Sequence, residues 1–98
     1  MAESQVLHDV RLYLQSRGIL SLRIQPVLAK PPHGRPFWTA PPGVSDLLCC
    51  SSGRAVAIET KGAGRQQGNQ RNFQAAWEKA GGLYVLARSV EDVEGGLA

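Results

Sequence analysis

The sequence predicts an α/β domain: a mixed β-sheet of about four strands flanked by helices, in the order α-β-β-β-α-β-α. Three observations carry this. Residues 3 to 17 and 69 to 80 place apolar side chains at helical spacing. Between them, two strand-like runs, Leu47–Cys50 and Arg54–Lys61, flank the turn chemistry of Ser51-Ser52-Gly53. Finally, Leu83 to Ala87 is a near-continuous apolar run, as in a strand covered on both faces.

Each element has its own signal. In the first helix Val6, Leu7, Val10, Tyr13 and Leu14 form the apolar stripe, and Gly18 closes it. Glu3 extends that stripe by one turn, although an acid in a first turn also simply complements the helix dipole. His8 lies off the stripe. Ile19 to Val27 alternates loosely and reads as the first strand. Residues 29–42 then hold five of the six prolines, which excludes helix and interior strand. Within this loop, Phe37 and Trp38 lie among Lys30, His33 and Arg35. They are placed to stack on bases, to pin the loop to the core, or to form a dimer contact. Gly62 to Gly68 is glycine-rich but has no Gly-Lys-Ser/Thr, so it is a connection carrying Arg65 rather than a P-loop. In the second helix Phe73, Ala76, Trp77 and Ala80 share a face, Gly81 stops it, and Gln70 continues the stripe one turn earlier. Ser89-Val-Glu-Asp is a capping box opening a short last helix.

Composition bounds the rest. Ninety-eight residues with 43% apolar and 19% charged content make one globular domain, residues 1–98, with a thin core. No apolar run approaches the roughly 20 residues that span a bilayer, and the N-terminus lacks the basic and apolar regions of a secretory signal. Cys49 and Cys50 are adjacent in a strand and point opposite ways, which argues against a disulfide and for a reducing cytoplasm. Net charge is +3. Three of the acids, Glu91, Asp92 and Glu94, sit at the C-terminal end, so the remaining surface is more basic than that total. Lys61, Arg65 and Arg71, with Lys30 and Arg35, form a basic rim suited to phosphates. A slightly basic protein with no such role fits the charge equally well.

The hairpin carries the chemistry. A two-residue turn at Ser52-Gly53 pairs Ser51 with Arg54, and counting back puts Asp46 opposite Glu59. Opposed residues have Cβ atoms about 5 Å apart, and like charges there are destabilising. A hard divalent cation between the carboxylates removes that conflict, because Mg²⁺ typically takes one or two carboxylates plus phosphate oxygens. An ordinary solvated face with a Glu59–Lys61 contact fits the same pattern.

Asp46 followed across a hairpin by Glu59-Thr60-Lys61 resembles the PD-(D/E)XK nuclease signature. The wider string Gly43-Val44-Ser45-Asp46-Leu47-Leu48, Ile58-Glu59-Thr60-Lys61, Gln70 and Ala80-Gly81-Gly82 is similar to the virus-type replication-repair nuclease (VRR-NUC) family. The likeness spans Gly43 to Arg88, and the first helix more loosely. Ser45 stands where the signature has proline. The resemblance implies a restriction-endonuclease-like core and Mg²⁺- or Mn²⁺-dependent hydrolysis of DNA phosphodiesters, with branched or flapped DNA in replication or repair as the substrate. It implies catalytic roles for Asp46, Glu59, Lys61 and Gln70. The metal ligands would be Asp46, Glu59, the Thr60 carbonyl and, from the first helix, Glu3. Arg65, Arg71, Lys30 and Arg35 would contact DNA. A homodimer in the cytoplasm of a bacterium or phage-infected cell follows from the same resemblance, and the small surface of the domain also favours dimerisation. Two alternatives remain: a non-catalytic nucleic-acid-binding module of a replication or repair assembly, and an interaction subunit using the Phe37-Trp38 loop.

Overall fold

A computed structural model describes all residues, Met1–Ala98. Helix α1 (Glu3–Ser16) leads into β1 (Ser21–Arg23), a short pair β2 (Leu28–Ala29) and β3 (Phe37–Trp38), and the hairpin β4 (Leu47–Ser51) and β5 (Arg54–Thr60). Helix α2 (Gly68–Lys79), strand β6 (Leu83–Ala87) and helix α3 (Val90–Leu97) follow. The main sheet runs β1-β4-β5-β6. Its first two pairings are antiparallel and β5–β6 is parallel, with α2 as the crossover. The chain is thus mixed α/β with a four-stranded mixed sheet and three helices. No helix is long and apolar enough to cross a membrane.

Strand alternation sorts the side chains between two faces. Leu47, Cys49, Val56, Ile58, Val85 and Ala87 share one face and form a single core with Val6, Val10 and Leu14 of α1 and Val93 of α3. Leu48, Cys50, Ala57, Glu59 and Tyr84 share the other. There α2 lays Phe73 and Trp77 beside Tyr84, with stacked rings 5.6 Å apart and the Trp77 indole donating to the Leu83 carbonyl at 2.9 Å. This second cover is partial: no residue of α2 is fully buried, and Leu20 and Leu22 beside β4 stay exposed. Both cysteines are free, Cys49 inside the core and Cys50 on the opposite, open face.

Two expectations need correction. The first strand does not run from Ile19 to Val27. Only Ser21–Arg23 pairs with β4, plus one bond from Ile24 N–H to the Asp46 carbonyl at 2.9 Å. The partner strand begins at Leu47, and Pro26 has no N–H to continue the ladder. The proline-rich loop is also not wholly irregular. Leu28 pairs with Trp38 and Ala29 with Phe37 in a small antiparallel ribbon, because these four residues are proline-free and the prolines fall around them.

The helix boundaries follow their caps. Ser89 Oγ accepts the Asp92 N–H at 3.4 Å, while the Asp92 carboxylate reaches back to the Arg88 N–H at 2.8 Å. At the start of α2 the Gln70 side-chain oxygen accepts the Gln67 N–H at 2.7 Å, half of a capping box.

Candidate active site

The site begins with a turn. Ser52 and Gly53 both have positive φ, 53° and 76°, the backbone of a two-residue turn whose twist matches the strands it joins. It fixes Ser51 against Arg54 and, four steps on, Leu47 against Ile58. One further step sets Asp46 beside Glu59, just past the last ladder pair.

Asp46 ties three strands together. Its carbonyl receives the Ile24 N–H beyond β1. Its Oδ2 accepts the Thr60 backbone N–H at 2.8 Å and the Thr60 hydroxyl at 2.9 Å. Its Oδ1 lies 3.5 Å from the Arg23 guanidinium, which also donates to the carbonyls of Ile24 and Asp46. The side chain therefore closes the open end of the hairpin as a backbone carbonyl would.

Glu59 is the desolvated member. It is 2% exposed, and its Oε2 has no hydrogen-bond partner. Burial pushes its carboxyl up to about 8, and the neighbouring Asp46 carboxylate adds to the shift. Lys61 pulls it down only in part. A buried acid facing another acid, with one oxygen orphaned, fits a divalent cation. A cation there would find two carboxylates, since no group of three or more His, Cys, Asp or Glu residues converges in the chain. That number suits an ion completed by phosphate oxygens and water.

The other expected residues divide. Lys61 is buried, and its Nζ lies 3.7 Å from Glu3 of α1. Glu3 therefore reaches the site by pairing with the lysine rather than by joining the two acids. Asp46 and Glu59 line a cleft of about 300 Å³ together with Arg23, Gly43, Asn69 and Gln70. Gln70 is thus at the site, but its Oε1 accepts the Gln67 N–H of its own helix cap at 2.7 Å and does not bond Lys61. Thr60 contributes its N–H and hydroxyl, to Asp46. Arg65 is exposed, as are Lys30 and Arg35 on either side of the ribbon tip. Arg71 is also exposed, with its guanidinium on the Gln66 carbonyl at 2.8 Å.

Several residues here have no signal in the sequence pattern. Arg23 contacts Asp46 across 23 positions, and only the β1–β4 pairing reveals it. Tyr84 is buried on the Glu59 face, accepting from Gln66, which also bonds Gln74. Burial pushes its phenol up to about 12, and the charges of Glu59 and Asp46 contribute. Arg88 clamps the 62–64 connection through the carbonyls of Gly62 and Gly64 at 2.7 and 2.8 Å. Ser45, in the place of the signature proline, is fully buried and donates to the Leu47 carbonyl at 3.1 Å. No family model, curated protein or solved structure matches the chain.

Proposed function

We propose that this chain is a metal-dependent deoxyribonuclease of the VRR-NUC type with a restriction-endonuclease-like core, hydrolysing phosphodiester bonds. One observation supports this above the rest: Glu59 is buried with an orphaned oxygen beside Asp46, an arrangement that costs stability until a cation is shared. Asp46 and Glu59, with the Thr60 carbonyl, would hold Mg²⁺ or Mn²⁺. When bound, the ion supplies Lewis acidity toward the phosphate and the attacking water.

The chain's own groups do the remaining work. Thr60 and Arg23 hold the Asp46 carboxylate in one orientation, so it need not reorganise during reaction. Lys61, beside Glu3, stabilises negative charge developing on the phosphoryl oxygens or orients the nucleophile. Gln70 and Asn69 line the cleft wall where the scissile phosphate would enter. Lys30, Arg35, Arg65 and Arg71 would hold neighbouring phosphates, making affinity salt-dependent. A homodimer in the cytoplasm completes the proposal, and sedimentation at micromolar concentration tests its oligomeric part.

The test is cleavage of plasmid and branched DNA with Mn²⁺ or Mg²⁺, against Asp46→Asn and Lys61→Met. Cleavage that persists in both variants rules the nuclease out. One observation favours a non-catalytic nucleic-acid-binding module instead: both Asp46 oxygens already face protein cations or donors. Such a module would bind DNA without metal and keep binding after Asp46→Ala.

A further inference from the structure

The β2–β3 ribbon presents two large aromatic rings to solvent, Phe37 at 55% and Trp38 at 51% exposure. Being successive in one strand, they project from opposite faces of a structure only two strands wide. Neither ring pairs with another aromatic; the ring pairs of the chain all involve Phe73. A loop pinned to the core would bury at least one of them, so the rings are not anchors. The chain also carries no acidic residue between Arg23 and Asp46, while Lys30, His33 and Arg35 fall on this stretch. The ribbon is therefore a thin basic blade with an aromatic ring on each side.

Its position is equally specific. The root is closed by two bonds: the Thr39 N–H donates to the Val27 carbonyl at 2.9 Å, and the Val27 N–H donates to the Thr39 hydroxyl oxygen at 3.0 Å. Gln25 and Pro26 just before that root, and Gly43 and Val44 shortly after it, line the cleft of Asp46 and Glu59. The blade thus rises from the rim of the acidic site.

We infer that the ribbon is a binding site for unpaired bases, one against each ring, at the rim of the acidic site. Inside a duplex the base faces are covered by stacking, so both faces of a base are open to aromatic contact only where it is unpaired, as in flaps and at junctions. Basic side chains at the blade tip complement the phosphates of the parted strands. This binding stands on the ribbon alone and does not rest on the proposed nuclease.

The experiment measures binding in EDTA, so that cleavage plays no part. A forked DNA and a blunt duplex of equal length are titrated at low salt. The wild type is expected to bind the fork about tenfold or more tightly, with tryptophan fluorescence quenched on the fork only. Phe37→Ala/Trp38→Ala is expected to lose both the preference and the quenching, with an unchanged salt slope because no charge is removed. Lys30→Ala/Arg35→Ala should weaken fork binding and lower its salt slope while leaving the quenching at saturation in place. Far-UV circular dichroism verifies folding. If the alanines melt the ribbon, Phe37→Leu/Trp38→Leu retains apolar bulk without rings and is expected to lose the preference too. Equal wild-type affinity for the two DNAs, no binding, or a preference surviving ring removal overturns the inference. Fork-selective binding without metal-dependent cleavage would instead refute the nuclease and leave the ribbon's role standing.

Discussion

The Asp46 carboxylate accepts two hydrogen bonds from Thr60, one from its backbone N–H at 2.8 Å and one from its hydroxyl at 2.9 Å. An acid that would otherwise swing free at the mouth of a hairpin is held beside Glu59. Because the same side chain closes the ladder and faces the cleft, its structural and chemical roles are separable by substitution.

Asp46→Asn keeps an oxygen for Thr60 but removes the charge. Stability is expected within about 1 kcal/mol of wild type, while Mn²⁺-dependent cleavage disappears. Asp46→Ala strands the Thr60 donors in a part-buried place, at a cost of about 1–3 kcal/mol. Urea denaturation and plasmid nicking measure the two effects. Full activity in the asparagine variant would mean that the carboxylate serves only the backbone.

Glu59 predicts a pH dependence in chelator. Its folded carboxyl titrates at about 8, against an ordinary value of 4.5. Between those values the folded state holds the proton more tightly than the unfolded chain does. Metal-free stability should therefore fall as pH rises from about 4.5 to 8 and level off above that. Glu59→Gln should flatten the slope and melt higher than wild type at pH 8. Mg²⁺ or Mn²⁺ added at pH 8 should raise the melting temperature of the wild type and not of the variant. A wild-type melting temperature indifferent to the ion would remove Glu59 as a ligand.

Lys61 and Glu3 separate charge from packing. Lys61→Met preserves the buried stem and is expected to lower kcat by about 100- to 1000-fold with little change in folding. Glu3 is more than half exposed at its side chain, so its pairing with Lys61 at 3.7 Å is screened. Glu3→Gln should leave the melting temperature nearly unchanged and reduce cleavage only modestly. A loss as large as that of Lys61→Met would instead make Glu3 a direct participant.

What the sequence disclosed was local. The Ser52-Gly53 turn gives the register at once, since the two-residue loop and the strand period together determine every partner back to Leu47. The helices α1 and α2 and the strand β6 follow from the same short-range periodicity. Arg23 was hidden because its contact with Asp46 depends on β1 docking beside β4 across a long connection. The ribbon was hidden because proline content describes the whole 29–42 stretch, whereas pairing needs only four proline-free residues. Gln70 shows a further limit: periodicity places it on the inward stripe of its helix, yet its amide oxygen caps that helix.

Gly43 gives the last prediction, because it joins the hairpin to the opposite cleft wall. Its φ is +94°, a region that L side chains rarely adopt, and a Cβ there would collide with the Asn69 carbonyl oxygen. That oxygen is backbone at the start of α2 and cannot rotate away. Gly43→Ala must therefore displace either the segment leading to Asp46 or the helix end bearing Asn69 and Gln70. A stability cost of about 1–3 kcal/mol is expected. Because a shift of about 1 Å in a catalytic group can cost 100-fold in rate, cleavage should fall even well below the melting temperature. Gly53→Asn supplies the contrast: its φ of +76° suits asparagine, and nothing lies within 4 Å of the added atom. That variant should melt and cleave like wild type. If Gly43→Ala melts lower but cleaves normally when folded, the close approach of Gly43 to Asn69 supports the fold and not the geometry of Asp46.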